Sequence, residues 1–254
     1  MTDLQKWLAS FVLTVVLVAI CYLWIDRPVA LLAHETRQFL PLDLLPRRLP
    51  VVAAPLAGAT LLVLAVRALM RRPLTRPYAV LLLCTLSFFI AEGLKTYLKS
   101  AFGRTWPESW MGPHISFIRD GAYGFSPFHG GPAYTAFPSG HTTAVCAVVS
   151  VLWACYPKFR PLYVSCVLAT AVAVVVANFH FVSDVIAGIF LGTSVGWITM
   201  AMWRAGVEDP SYGQSANFAA ANRSDVHWSE RQLKPARENG GADGRTIERI
   251  TDDR

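Results

Sequence analysis

Six apolar runs divide most of this chain, at about residues 8–25, 50–70, 78–98, 141–156, 162–179 and 182–203. Most approach the roughly 20 residues that carry a helix through the hydrocarbon core of a bilayer. In hydrocarbon each backbone N–H and C=O must be satisfied within the protein, and for runs of this length the helix is the solution. The runs therefore predict an all-α integral membrane bundle of about six transmembrane helices. Composition agrees: 54% of residues are hydrophobic and 16% charged, where soluble domains carry about 25% charged residues. The first run follows Lys6, but it is too long for a signal-peptide core and no A-x-A-like site closes it, so it reads as an uncleaved span.

The membrane domain is expected over 1–203. Residues 204–254 are polar, mix both charge signs and hold too little apolar surface to fold alone, which predicts a disordered cytoplasmic tail. Basic residues in short loops set orientation. Arg67, Arg71, Arg72 and Arg76 follow the second run, and Lys158 and Arg160 follow the fourth. They place both termini in the cytoplasm, with Arg27, Arg37, Arg47 and Arg48 arguing the other way. The net charge of +6 is spread over loops and tail, a pattern that suits anionic lipid rather than nucleic acid. Cys21, Cys84, Cys146, Cys155 and Cys166 all fall inside apolar runs, without the paired spacing of a zinc site or a disulfide framework.

Polar groups gather at one end of this expected bundle. Lys99 and Arg104 follow the third run, Ser139, Gly140 and His141 open the fourth, His180 closes the fifth and Asp184 opens the sixth. Singly, each has a structural explanation, such as a snorkelling lysine or a helix cap. Lys95 and Glu92 read in the same way, as a snorkelling pair. Together, ionisable groups at membrane depth default to function. Between them, residues 99–137 form a long loop rich in aromatics and glycine, suited to an interfacial belt or to a lid over a site.

The set suits a phosphoryl group. A helix that opens on glycine offers backbone N–H groups and the positive end of its dipole to an oxyanion. Ser139 adds a hydroxyl donor, and Lys99 and Arg104 add cationic ones. Two histidines suit a two-step displacement, one attacking phosphorus and the other protonating the departing oxygen. Asp184, four residues after His180, is spaced to orient its ring. A metal site built from His114, His129, His141 and His180 is the weaker reading, because these residues lack close paired spacing.

These residues resemble the type 2 phosphatidic acid phosphatase family, which shares its fold and histidine site with vanadium haloperoxidases. The family motifs are K-x6-R-P, P-S-G-H and S-R-x5-H-x3-D. The second is present at Pro138-Ser139-Gly140-His141, and the end of the third at His180-Phe181-Val182-Ser183-Asp184. The resemblance implies a six-span fold, no metal or other cofactor, and a lipid phosphate or diphosphate substrate, which the orientation set by the basic loops places at the outer leaflet. It also implies a multi-pass protein of the bacterial inner membrane. His180 would be the nucleophile that forms a phosphohistidine, Asp184 its orienter and His141 the general acid. Ser139, Gly140 and Lys99 would hold the phosphoryl oxygens. Two motif arginines are missing: the first motif has Trp106 in that place and the third has Val174. Arg104 is expected to replace one, with Arg119 or Asn178 for the other. A lipid-phosphate binder without turnover, or a phosphotransferase with a second lipid headgroup as acceptor, are the alternatives.

Overall fold

In the computed structural model, which describes residues 1–36, 44–109, 112 and 114–208, the first apolar run is part of a longer helical segment than its hydropathy implies. Helix α1 (Asp3–Ile20) opens on a capping box, in which Thr2 and Gln5 satisfy each other's backbone N–H groups. It continues through a π-helical turn (Cys21–Ile25) into α2 (Asp26–Thr36). Pro28, in the first turn of α2, has no N–H to give the preceding turn, and the ladder widens immediately upstream of it. Then come α3 (Leu44–Leu69), α4 (Arg76–Phe102), the short α5 (Phe117–Asp120), α6 (Gly140–Cys155), α7 (Arg160–Val176) and α8 (Val182–Glu208).

Five helical segments among the described residues are long and apolar enough to cross a membrane: Asp3–Thr36, Val52–Leu69, Arg76–Phe102, Pro157–Val176 and Val182–Gly206. The fourth expected span, α6, has 16 residues and a length of about 24 Å at 1.5 Å per residue. It lies at the centre, packed against α4, α7 and α8. The fold is thus an all-helical membrane bundle, in which five helical segments meet the length of a span and a shorter one fills the middle. The connection between α4 and α6 carries α5, a 3-10 turn at Pro132–Tyr134 and isolated backbone bridges, and the described residues contain no strand. Helix α8 runs five residues beyond 203, and the tail expected after it lies outside the described residues.

Two glycine features fix the frame. Gly103 ends α4 with φ +58, and a Cβ there would meet the Ser126 carbonyl oxygen at 1.8 Å, so the long loop folds back against a bare backbone. On α8, Gly188, Gly192 and Gly196 recur every fourth residue on one face. Added Cβ atoms would lie 2.3 Å from Thr142 Oγ1, 2.3 Å from the Thr143 carbonyl oxygen and 2.5 Å from Ser150 Cβ respectively. This stripe lets α6 and α8 approach almost backbone to backbone, the arrangement that small residues at every fourth position permit in membranes. At the same contact the Ser139 N–H donates to the Asp184 carbonyl at 2.9 Å, which joins the start of α6 to the start of α8.

Substituting Gly192→Leu should force the two helices apart. Overpacking of this kind costs about 1–3 kcal/mol or more. The variant is expected to unfold at a lower temperature in detergent and to lose ligand affinity at the site in parallel. An unchanged melting temperature would show that the close approach is dispensable.

Candidate active site

The second half of α4, the start of α6, one face of α3 and the connection between α7 and α8 meet around a cavity of about 160 Å³. Its polar lining is Glu92, Lys95, Lys99, Gly140, His141 and His180, with Trp106 from the long loop. Larger, mainly apolar grooves, of about 430 and 660 Å³, lie elsewhere between helices and are lined by no His, Asp, Glu or Lys. Convergent polar groups, rather than size, single out the smaller cavity.

The His141 and His180 rings are 5.7 Å apart, centroid to centroid, at 68° to each other. Trp106 lies 5.1 Å from the His180 ring, and Phe179 packs edge-on to His141 at 5.9 Å. His180 is buried, with its backbone N–H bonded to the Val174 carbonyl at 3.1 Å. Its Nδ1 lies 3.6 Å from Asp184 Oδ2, longer than a hydrogen bond. Burial, only partly offset by Asp184, pushes the His180 pKa below its ordinary value, so the ring is neutral at pH 7.

Helix α6 begins at this cavity. Ser139 is its N-cap residue, yet its Oγ makes no capping bond; it is buried without a hydrogen-bond partner among the described residues. A buried hydroxyl in that condition is an exception that asks for a reason. Lys99, half-buried, donates to the Thr135 carbonyl and sits 5.0 Å from the Trp106 ring.

Of the seven residues expected at the site, His141, His180, Lys99 and Gly140 line the cavity, while Ser139 and Asp184 lie directly behind it. Arg104, expected to clamp a phosphoryl group, does not line it. Its guanidinium is fully buried on the far side of Asp184, bonding Asp184 Oδ1 at 2.6 Å, Ser183 Oγ at 2.5 Å and Asp26 Oδ2 at 2.7 Å. Burial alone would discourage its charge, but Asp184 and Asp26 reverse that and raise its pKa. The other expected substitutes are also placed elsewhere. Arg119 pairs with Asp120, and the Asn178 amide donates to the Ala30 carbonyl at 3.2 Å. Val174, in the place of the third-motif arginine, is packed with Ala177, Phe179 and Val185. His129 lies against Tyr134, away from the two cavity histidines. No group of three or more His, Cys, Asp or Glu among the described residues is placed to hold a metal ion.

Sequence reasoning missed three contributors. Asp26 is fully buried and takes the Ser183 N–H at 3.0 Å as well as the Ser183 hydroxyl. Nothing in its local sequence marks it, because its partners are far away in the chain. Trp106 was legible only as a missing arginine. Lys95 was legible as a cation one helical turn before Lys99, but not as one facing inward.

A family model described as PAP2 superfamily matches residues 78–207, which is half of the chain and contains every cavity-lining polar residue. The chain belongs to the PAP2 superfamily. Over 107 residues it is 34% identical to the lipid A 1-phosphatase of Rhizobium etli, and over 106 residues 33% identical to that of Rhizobium johnstonii. Each match covers 42% of this chain and 42% or 41% of the relative, so the chain spans less than half the length of the curated relatives it matches. A crystal structure of a transmembrane PAP2-type phosphatidylglycerolphosphate phosphatase from Bacillus subtilis superposes with a TM-score of 0.51 at 18% identity. That superposition covers 79% of this chain and 96% of the Bacillus one, and supports the fold.

Arg104 in its observed place predicts a particular failure. Removing one partner of a buried ionic group costs about 3–5 kcal/mol, so Arg104→Ala should lower the melting temperature of the detergent-solubilised protein by many degrees. A residue that only clamps substrate would leave that temperature unchanged.

Proposed function

We propose that this PAP2 protein hydrolyses a lipid phosphate monoester or diphosphate, without a metal, through a phosphohistidine at His180. The observation that carries the reading is the pair of histidines 5.7 Å apart on one cavity, with a carboxylate behind one of them and Lys99 in the same lining. Neutral His180 attacks phosphorus through the ring nitrogen turned away from Asp184, and the P–O bond to the lipid breaks. His141 delivers a proton to the departing oxygen, then takes one from the water that cleaves the phosphohistidine and releases phosphate. Asp184 holds the ring of His180 and stabilises the positive charge it gains. Lys99, the Ser139 hydroxyl and the first N–H groups of α6 neutralise the phosphoryl oxygens, the main electrostatic demand of this chemistry.

The relatives named lipid A 1-phosphatase make a lipid A sugar phosphate the first substrate to test. The membrane helices and bacterial relatives support an inner-membrane location, and the basic loops support cytoplasmic termini with the cavity at the outer leaflet. There a lipid can keep its tails in the bilayer while its headgroup enters between helices. Membrane lipids are thus both surroundings and substrate. The cytoplasmic tail from 204 is part of the same proposal.

Detergent-purified protein should release phosphate from lipid A or another lipid phosphate with EDTA present. His180→Ala should lower the rate by at least about 10³-fold, since loss of a nucleophile leaves only binding and oxyanion stabilisation. Turnover that persists in His180→Ala, or that EDTA abolishes, contradicts the mechanism. A parent protein that binds lipid phosphate but releases none is the binder instead.

The pH profile supplies a second check. His180 attacks as the neutral ring, and its folded pKa is depressed below the ordinary value of about 6.5. As pH falls, kcat/KM should hold through about 6.5 and drop only below it. A half-maximal point above that value on the acid side would place the titration on another group.

A further inference from the structure

The cavity holds one cation that neither the motif nor the mechanism above uses. Lys95 lies on α4 one turn before Lys99, seven residues from the end of that helix, or about 10 Å along its axis. Its Nζ donates to both oxygens of Glu92 at 2.7 Å, and both side chains line the cavity. A Cβ added to Gly140 would lie 2.8 Å from this Nζ, so Lys95 rests against the first residue of α6. Glycine at 140 therefore does more than expose backbone to an anion; it leaves room for an ammonium at the helix mouth.

Charge balance gives this placement meaning. A phosphoryl dianion entering the cavity meets Lys99, and the places of both missing motif arginines are occupied by Trp106 and buried Val174. Arg104 is committed to Asp26 and Asp184. Lys95 and Lys99 are the only lysines or arginines lining the cavity among the described residues. A snorkelling lysine would send its ammonium along the helix toward water. This one instead turns across to α6 and is held by a carboxylate of its own helix, a costly pair to keep in a membrane helix without a use.

Resting on the phosphatase reading, we infer that Lys95 is the second phosphoryl-binding cation and that Glu92 is its resting partner. When the phosphate enters, the Lys95 ammonium passes from the Glu92 carboxylate to a non-bridging phosphoryl oxygen by side-chain rotation. Glu92 holds the lysine in place while the cavity holds no anion, and competes with phosphate for it. The two residues consequently act in opposite directions on anion affinity. A purely structural ion pair would have both losses act alike.

Calorimetric titration of inorganic phosphate into the detergent-purified full chain tests this directly and does not depend on turnover. Lys95→Ala is expected to weaken binding by at least about tenfold, the loss of one charge-assisted contact. Lys95→Arg should stay within about threefold of the parent. Glu92→Gln, which still accepts a hydrogen bond from Lys95 but no longer carries charge, should tighten binding by about two- to fivefold on the same scale. Glu92→Gln carries the test if Lys95→Ala does not fold. Equal affinity in the parent and Lys95→Ala, weaker binding in Glu92→Gln, or no phosphate binding by the parent would each overturn the proposal. Lys95-dependent phosphate binding in a protein that releases no phosphate from any lipid would sink the hydrolysis reading and leave this one standing.

Discussion

The site depends on one buried guanidinium. Arg104 joins two carboxylates from opposite ends of the chain, Asp26 and Asp184, at 2.7 and 2.6 Å, and no atom of its side chain reaches solvent. Such a cluster is costly to bury and is tolerated when its hydrogen bonds are satisfied. Here they largely are: Ser183 gives both its N–H and its hydroxyl to Asp26, Phe181 gives its N–H to Asp184 at 2.9 Å, and the Tyr123 hydroxyl lies within 3.3 Å of both Asp26 and Arg104. Tyr22 and Tyr123 stack on each other and flank the guanidinium on its aromatic side. The π-helical turn ends immediately before Asp26, a placement such turns often take near functional sites.

This cluster does two things for the histidine in front of it. It fixes Asp184 mechanically, so that one carboxylate oxygen is used by Arg104 and the other is left between the Phe181 N–H and the His180 ring. It also sets a sign. Two carboxylates against one guanidinium leave a net negative charge behind His180, which under the proposed mechanism would favour the positive charge the ring takes on in bonding phosphorus. The cations are thereby divided by role. Arg104 faces away from the cavity and controls a carboxylate, while the two lysines of α4 face inward and are available to an anion. An arginine is suited to the first task because its planar fork can bridge two carboxylates while staying charged in a dry site. A lysine suits the second, since its flexible stem can move a point charge between partners.

Much of this was legible in the sequence, for identifiable reasons. Apolar run length marks spans because hydrocarbon leaves the backbone few alternatives, and five of the six runs lie in helices of spanning length. The PSGH and H-x3-D motifs were legible because each is local: one turn of helix places Asp184 behind His180, and a helix start presents Ser139 and Gly140. The placement of Arg104 was not legible, because spacing along α4 and the loop says only that a cation lies near the site, not which side of Asp184 it takes. That depends on Asp26, 78 residues earlier, which no local pattern ties to it. Lys95 was misread for the same kind of reason. Its spacing from Lys99 shows a shared helix face, but whether that face meets lipid or the start of α6 is decided by tertiary packing.

The close approach of α6 and α8 explains why the two motifs can work as one. Histidines brought in by separate helices would ordinarily be held apart by side chains at the helix contact, since interaxial distances of about 8–10 Å are set by those side chains. Glycines 188, 192 and 196 remove them from one partner, and the Ser139 N–H closes onto the Asp184 carbonyl at the end where both helices begin. The start of α6, with its N–H groups and His141, is thereby tied to the residue that positions His180. Any change in the distance between these helices moves the start of α6 and the Asp184 carboxylate relative to each other. The glycine stripe is consequently part of the site's geometry, although its last member, Gly196, meets only Ala147 and Ser150 of α6 and touches nothing that binds phosphate.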